Sequence, residues 1–167
     1  MITKNISKKN LINFLIIFII FFLDRISKFI VIYLADKDNN SELFLSKFLN
    51  IQLIWNDGIA FGLLSLNKDK SYDILTLFIS FIIVIIFFMM TKSEGLKRYS
   101  FLMILGGAIG NVFDRIFNKS VPDFLDFHVG NFHWFIFNAA DIFISIGVFF
   151  VILSELFANK NKNDKKI

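Results

Sequence analysis

The 167-residue chain contains no cysteine. Disulfides, thiolate metal sites and a cysteine nucleophile are excluded together. Proline occurs once, at Pro122, and histidine twice, at His128 and His133. The histidines lack the helical His-Glu-x-x-His spacing of a zinc protease. They read as surface or structural groups, with a site shared with Asp126 as the lesser alternative, so neither metal nor cofactor is expected. No Gly-x-Ser-x-Gly elbow and no Walker loop occurs. Ser27 and Lys28 are adjacent, so in a helix they point about 100° apart and make a poor nucleophile–base pair. Charge is also scarce, at 19% of residues, against about 25% in ordinary soluble domains.

Apolar residues are plentiful instead. They make up 56% of the chain, 24 of them phenylalanine, where a soluble domain carries about 45–50%. Mean hydropathy is +0.64. An excess of Phe, Ile and Leu fits surface that faces lipid. The net charge of +4 does not signal nucleic acid, because the basic residues sit at the ends of apolar runs and form no stripe interleaved with stacking aromatics.

Four runs reach the roughly 20 apolar residues that a bilayer crossing takes. They cover about residues 11–34, 74–90, 99–117 and 137–157. Lys4, Lys8 and Lys9 before the first run resemble the start of a cleavable signal peptide. No small-residue cleavage site follows and apolar character resumes after Lys28, so an uncleaved first span is expected. The short flanks put Lys4, Lys8, Lys9, Lys92, Lys97, Arg98, Lys160, Lys162, Lys165 and Lys166 on one side. They put Lys37, Lys47, Lys68, Lys70 and Lys119 on the other. The excess of Lys and Arg marks the cytoplasmic side, which places both termini there and segments 35–71 and 118–136 outside. The expectation is one all-α membrane domain, 1–167, of four transmembrane helices with a small β-rich outer platform. Ile51–Trp55 reads as a strand ended by the turn signal Asn56-Asp57-Gly58. Leu43–Leu49 reads as a short amphipathic helix on the membrane surface.

Ionisable residues inside spans cost about 2.5–3.5 kcal/mol at mid-helix on insertion scales, so they are functional candidates by default. The topology puts Asp24, Asp114 and Asp141 at one level near the outer face. Asp24 has a local explanation in an i,i+4 pair with Lys28, and Arg25 is expected to snorkel toward headgroups. Asp114 and Asp141 each follow an asparagine, Asn111 and Asn138, by three positions, which sets each Asn beside its Asp on one helix face. Plain structural readings remain beside this one. Asn138 can cap the fourth helix with Asp141 at its positive end, and Asp114 can pair with Arg115. Two carboxylates held close share a proton, so one can deprotonate water while the other polarises a peptide carbonyl.

Five segments in order resemble a known family. They are Asp24-Arg25-Ile26-Ser27-Lys28; Asn56-x-Gly58-x-Ala60-Phe61-Gly62; Gly106-Gly107-Ala108-x-Gly110-Asn111-x-x-Asp114-Arg115; Val121-x-Asp123-Phe124-x-Asp126-Phe127; and Phe137-Asn138-x-Ala140-Asp141-x-x-Ile144. Together they resemble the bacterial lipoprotein signal peptidases, signal peptidase II. The resemblance implies an aspartic endopeptidase of the cytoplasmic membrane that removes signal peptides from diacylglyceryl-modified prolipoproteins, before the lipidated cysteine. It implies Asp114 and Asp141 as catalytic dyad, with Asp24, Lys28, Gly58, Asn111, Asn138 and Ala140 in support. Arg115 and Asn56 are implied as substrate contacts, the outer segments as a clamp, and globomycin-type cyclic peptides as inhibitors of a monomeric enzyme. Arg25 departs from the usual Gln, and Phe135 from a frequent Pro. The competing expectation is a small proton-coupled transporter component, because membrane carboxylates also build proton relays.

Overall fold

Long apolar runs without proline favour helix, because only a helix satisfies every backbone polar group within one segment in lipid. The computed structural model describes the backbone of residues 2–58 and 68–163 and the side chains of 8–58 and 72–157. Its elements run α1 (Ile2–Asp38), β1 (Glu42–Phe44), β2 (Leu49–Asn56), α2 (Lys68–Thr91), α3 (Gly95–Asn118), β3 (Val121–Val129), β4 (Phe132–Phe137) and α4 (Ala139–Asn163). Helices thus occupy all four expected runs and extend past most of the expected limits. The exception is the start of α4: Phe137 closes β4 and Asn138 precedes the helix. Segments Tyr72–Thr91, Gly95–Asn118 and Ala139–Phe157 are long and apolar enough to cross a membrane.

The central helix is α3. Just over half of its apolar window is buried, 56%, against 6% in α2 and 11% in α4. It packs on α1, α2 and α4. Its middle carries the core: Phe101, Leu102, Ile104 and Leu105 with Met90 of α2, flanked by Ile16, Ile17, Ile83, Ile86 and Val151. Packing against α4 is close because Gly107 has no side chain. A Cβ there would lie 2.5 Å from the Ala140 carbonyl oxygen, and small residues are what let membrane helices approach this way.

The four strands form one antiparallel sheet in the order β1-β2-β3-β4. Strand β3 leaves α3 and β4 enters α4, so this hairpin ties the ends of the two helices that pack most extensively on each other. Strand β2 pairs along β3, from Leu49 opposite Phe127 to Asn56 opposite Val121. The expected strand at Ile51–Trp55 lies within β2. The surface helix expected over Leu43–Leu49 does not form. Phe44 ends β1, and residues 45–48 make a bend. Local hydrogen bonds win there: Ser46 Oγ donates to the Leu49 carbonyl at 2.6 Å and accepts the Leu49 N–H, while Asn50 Oδ1 accepts the Ser46 N–H. Such serine and asparagine bonds offer the backbone an alternative to helix. The Ala60-Phe61-Gly62 motif falls outside the described residues.

Candidate active site

Each helix turn brings residues three and four apart onto one face, so Asp24 and Lys28 of α1 and Asn111 and Asp114 of α3 present compact polar faces. The faces meet. Lys28 Nζ lies 2.9 Å from Asp24 Oδ1, 2.8 Å from Asn111 Oδ1 and 2.7 Å from Asp114 Oδ2. All three charged side chains are buried. The i,i+4 pair expected of Asp24 and Lys28 is therefore present, but Lys28 also bridges to α3.

Arg25 does not snorkel outward. Its guanidinium turns in and grips Asp114 in a fork, Nη1 to Oδ1 at 2.5 Å and Nη2 to Oδ2 at 2.6 Å. It also reaches Asp24 Oδ2 and the Gly110 carbonyl. Its Cζ lies 5.0 Å from the Phe113 ring centroid and 5.7 Å from that of Phe21. Two buried carboxylates and two neighbouring aromatic rings outweigh the headgroup region for a side chain this long, since bidentate charge-assisted bonds are the strong ones. Asp24 needs room at α3. A Cβ on Gly110 would sit 2.5 Å from Asp24 Oδ2, so glycine is required for this approach.

Asp141 enters from α4. Asn111 Nδ2 donates to its Oδ1 at 2.8 Å, and the Asn138 N–H donates to its Oδ2 at 3.1 Å. The Asp141 N–H returns a bond to Asn138 Oδ1 at 3.2 Å. This is a reciprocal capping arrangement at the helix start, so the capping role weighed for Asn138 is real and coexists with its place beside Asp141. Asn111 touches both acids: directly Asp141, and through Lys28 Asp114. Ala140 is fully buried, and its N–H donates to Asp24 Oδ1 at 3.2 Å. Asp24 thus holds α1 against both α3 and the start of α4.

The sheet contributes Asp123, which the sequence reading assigned no role. Asn138 Nδ2 donates to its Oδ1 at 2.7 Å and Asn56 Nδ2 to its Oδ2 at 2.8 Å. Burial pushes the Asp123 carboxyl above the usual carboxylate range. The two asparagine bonds oppose that shift, the Asp141 charge adds to it and Lys28 counters it. The sequence signal was faint: one of two acids in a largely apolar strand, noted only as part of a motif. Asn56 Oδ1 accepts the Gly58 N–H at 2.8 Å, and Gly58 has φ of +71°, the turn that Asn-Asp-Gly predicts.

Arg115 stands apart from Asp114. Its Nη1 donates to the Asn111 carbonyl, and it lines a crevice of about 270 Å³ with Thr76 and Ser80 of α2. The pairing of Asp114 with Arg115 that the sequence left open is replaced by Arg25 and Lys28. The histidines serve the sheet. His133 Nδ1 lies 2.9 Å from Asp126 Oδ2, His128 Nε2 lies 3.1 Å from Asn50 Oδ1, and Asn50 Nδ2 donates to Asp126. None of these contacts reaches the acids on the helices.

Three helices apolar enough to cross a membrane and a small sheet, with carboxylates, amides and two cations gathered between α1, α3 and the start of α4, define a membrane protein with a polar centre at one end of its bundle. Two solved structures described as bacterial membrane enzymes superpose on it. One has a TM-score of 0.71 at 28% identity, covering 86% of this chain and 92% of that one. The other has 0.70 at 27%, covering 90% of each. The signal peptidase (SPase) II family matches residues 16–157, and the chain belongs to it. A lipoprotein signal peptidase of Pelagibacter ubique is 48% identical over 98% of this chain and 99% of its own length. One from Francisella tularensis is 43% identical over 71% of this chain and 76% of its own. The protein is accordingly a membrane protease.

Proposed function

We propose that this chain removes signal peptides from diacylglyceryl-modified prolipoproteins in the bacterial cytoplasmic membrane, cleaving before the lipidated cysteine with Asp114 and Asp141 as an aspartyl dyad. The observation that carries the reading is the Asn111 amide, which binds Asp141 through Nδ2 and accepts from the same Lys28 ammonium that binds Asp114. One residue thereby links the two acids from two helices. In the proposed cycle one carboxylate takes a proton from water, and the protonated partner hydrogen-bonds the scissile carbonyl. Water oxygen bonds to the carbonyl carbon, and the proton then passes to the departing amine as the C–N bond breaks. The pair titrates as a unit, so its apparent pKa values belong to both acids.

A lipidated signal peptide is itself a membrane helix whose scissile bond lies near the outer interface. The reading therefore takes α1 as a fourth span, both termini as cytoplasmic and the sheet as an outer platform. Asp24, Lys28, Asn138 and Ala140 position the dyad, while Asn56, Gly58 and Arg115 stand on its approach. Globomycin-type cyclic peptides are expected to inhibit, and the enzyme is expected to act as a monomer. The relay reading is disfavoured by the apolar layer around Leu102 and Leu105, since a proton path must cross the bilayer.

The test is cleavage of a lipidated prolipoprotein by purified protein. Asp114→Asn and Asp141→Asn are each expected to lose at least about 100-fold in rate, the low end for a lost acid–base group, while remaining folded. Near wild-type cleavage by either folded variant refutes the dyad, equal cleavage of unlipidated substrate refutes the lipid specificity, and inhibition by chelator reinstates a metal.

A further inference from the structure

At the opposite end of the bundle lies a second polar site. Arg98 stands sixteen residues before Asp114 on α3, about 24 Å along the helix. The residue is largely buried, at 7% exposure. Its Nε–H donates to Asn13 Oδ1 of α1 at 3.0 Å, and Asn13 Nδ2 approaches the Met90 sulfur at 3.7 Å. The two terminal guanidinium nitrogens have no hydrogen-bond partner among the described residues. Arg98 lines a cavity of about 350 Å³ together with Lys8, Lys9 and Glu94.

Guanidinium donors that open to a cavity are met by water or, more strongly, by an anion. The start of α3 adds to the demand. Glu94 is its N-cap yet makes no side-chain hydrogen bond to the first turn, and Gly95 lines the same cavity. A helix N-terminus presents backbone N–H groups and positive potential to an anion. Three cations, Lys8, Lys9 and Arg98, face a single acid, Glu94, which is exposed to water.

We propose that this pocket binds the phosphate headgroup of an anionic phospholipid. The rim selects a lipid over a free ion. Ile12 and Tyr99 line the cavity and are 40% and 51% exposed, and the α1 surface continues through Leu15 and Ile19, both also exposed. A phosphate seated on Arg98 therefore leaves its acyl chains along an apolar flank, and basic pockets between membrane helices suit such headgroups. The chemistry is that of a phosphodiester: bidentate oxygens for the guanidinium fork, further oxygens for two ammonium groups and the helix end.

The experiment uses the full chain in nanodiscs of equal phosphatidylglycerol and phosphatidylcholine, with retained lipid read by native mass spectrometry. Wild type is expected to keep phosphatidylglycerol over phosphatidylcholine by about tenfold or more, since each nearby cation contributes roughly fivefold. The Lys8→Gln/Lys9→Gln double variant changes only exposed side chains and is expected to approach parity. Arg98→Lys keeps the charge but loses the planar fork, and is also expected to approach parity. Absence of preference in wild type overturns the proposal. So does wild-type preference in either variant, which would reduce the effect to diffuse surface charge. Displacement of the lipid by excess inorganic phosphate would assign the pocket to the free ion and overturn it as well.

Discussion

Lys28 sets the charge balance at the centre of the candidate site. It contacts Asp24, Asn111 and Asp114 and is 2% exposed. Removing one partner from a buried ion pair leaves an uncompensated charge and costs about 3–5 kcal/mol. Lys28→Met is therefore expected to lower thermal stability in detergent by that order; a variant as stable as wild type would show that water or lipid headgroups already compensate the acids. Arg25 has a different standing. The resembling family usually carries Gln there, whereas here the guanidinium forks onto Asp114. Arg25→Gln is expected to keep prolipoprotein cleavage close to the wild-type rate. A loss as deep as that of Asp114→Asn would make Arg25 part of the reacting machinery. The helical Asn-x-x-Asp spacing was legible because it needs only backbone geometry. The inward turn of Arg25 was not, because a long flexible side chain goes where charge and aromatic rings await it, and its α3 partners Gly110 and Asp114 lie 85 and 89 residues further along the chain.

At the scale of elements, strand β3 and the start of α4 are joined through one buried acid. Asp123 binds Asn56 of β2 and Asn138 of the α4 cap, so the sheet holds the residue that holds Asp141. Its carboxyl titrates above the usual range because burial disfavours the charged form. The folded state therefore binds a proton here more tightly than the unfolded chain. This contribution is greatest below the ordinary carboxylate range, and is lost as pH rises from there through the raised folded value. The melting temperature of wild type relative to Asp123→Asn is expected to decline over that window and level off above it. A difference that rises with pH would reverse the assignment. Strand β2 was legible from its β-prone run and its turn. The helix expected at Leu43–Leu49 was not realised, because apolar spacing alone does not count the hydrogen bonds that Ser46 and Asn50 make to the chain.

For the molecule as a whole, the absence of cysteine makes topology directly measurable. With both termini cytoplasmic, Ser46→Cys is expected to react with a membrane-impermeant maleimide in intact cells, and Ser93→Cys only after lysis. Labelling of Ser93→Cys in intact cells, with Ser46→Cys protected, would invert the protein. The two polar ends of the bundle differ in kind, one rich in acids and the other in unused cationic donors. They are separated by the Phe101–Leu105 core.

The sequence by itself determined the membrane class, the helices within the apolar runs, one strand with its turn, and that Asp24, Asp114 and Asp141 share one end of the helices. Each follows from local patterns: run length, turn chemistry and residue spacing. Only the tertiary structure decided which groups neutralise Asp114, that Asp123 secures the α4 cap, and that Arg98 binds Asn13 at the edge of a cavity. These are contacts between elements far apart in the chain. A pairing of that kind leaves no periodic trace, because its energy depends on which helix faces meet and on how much water is excluded between them.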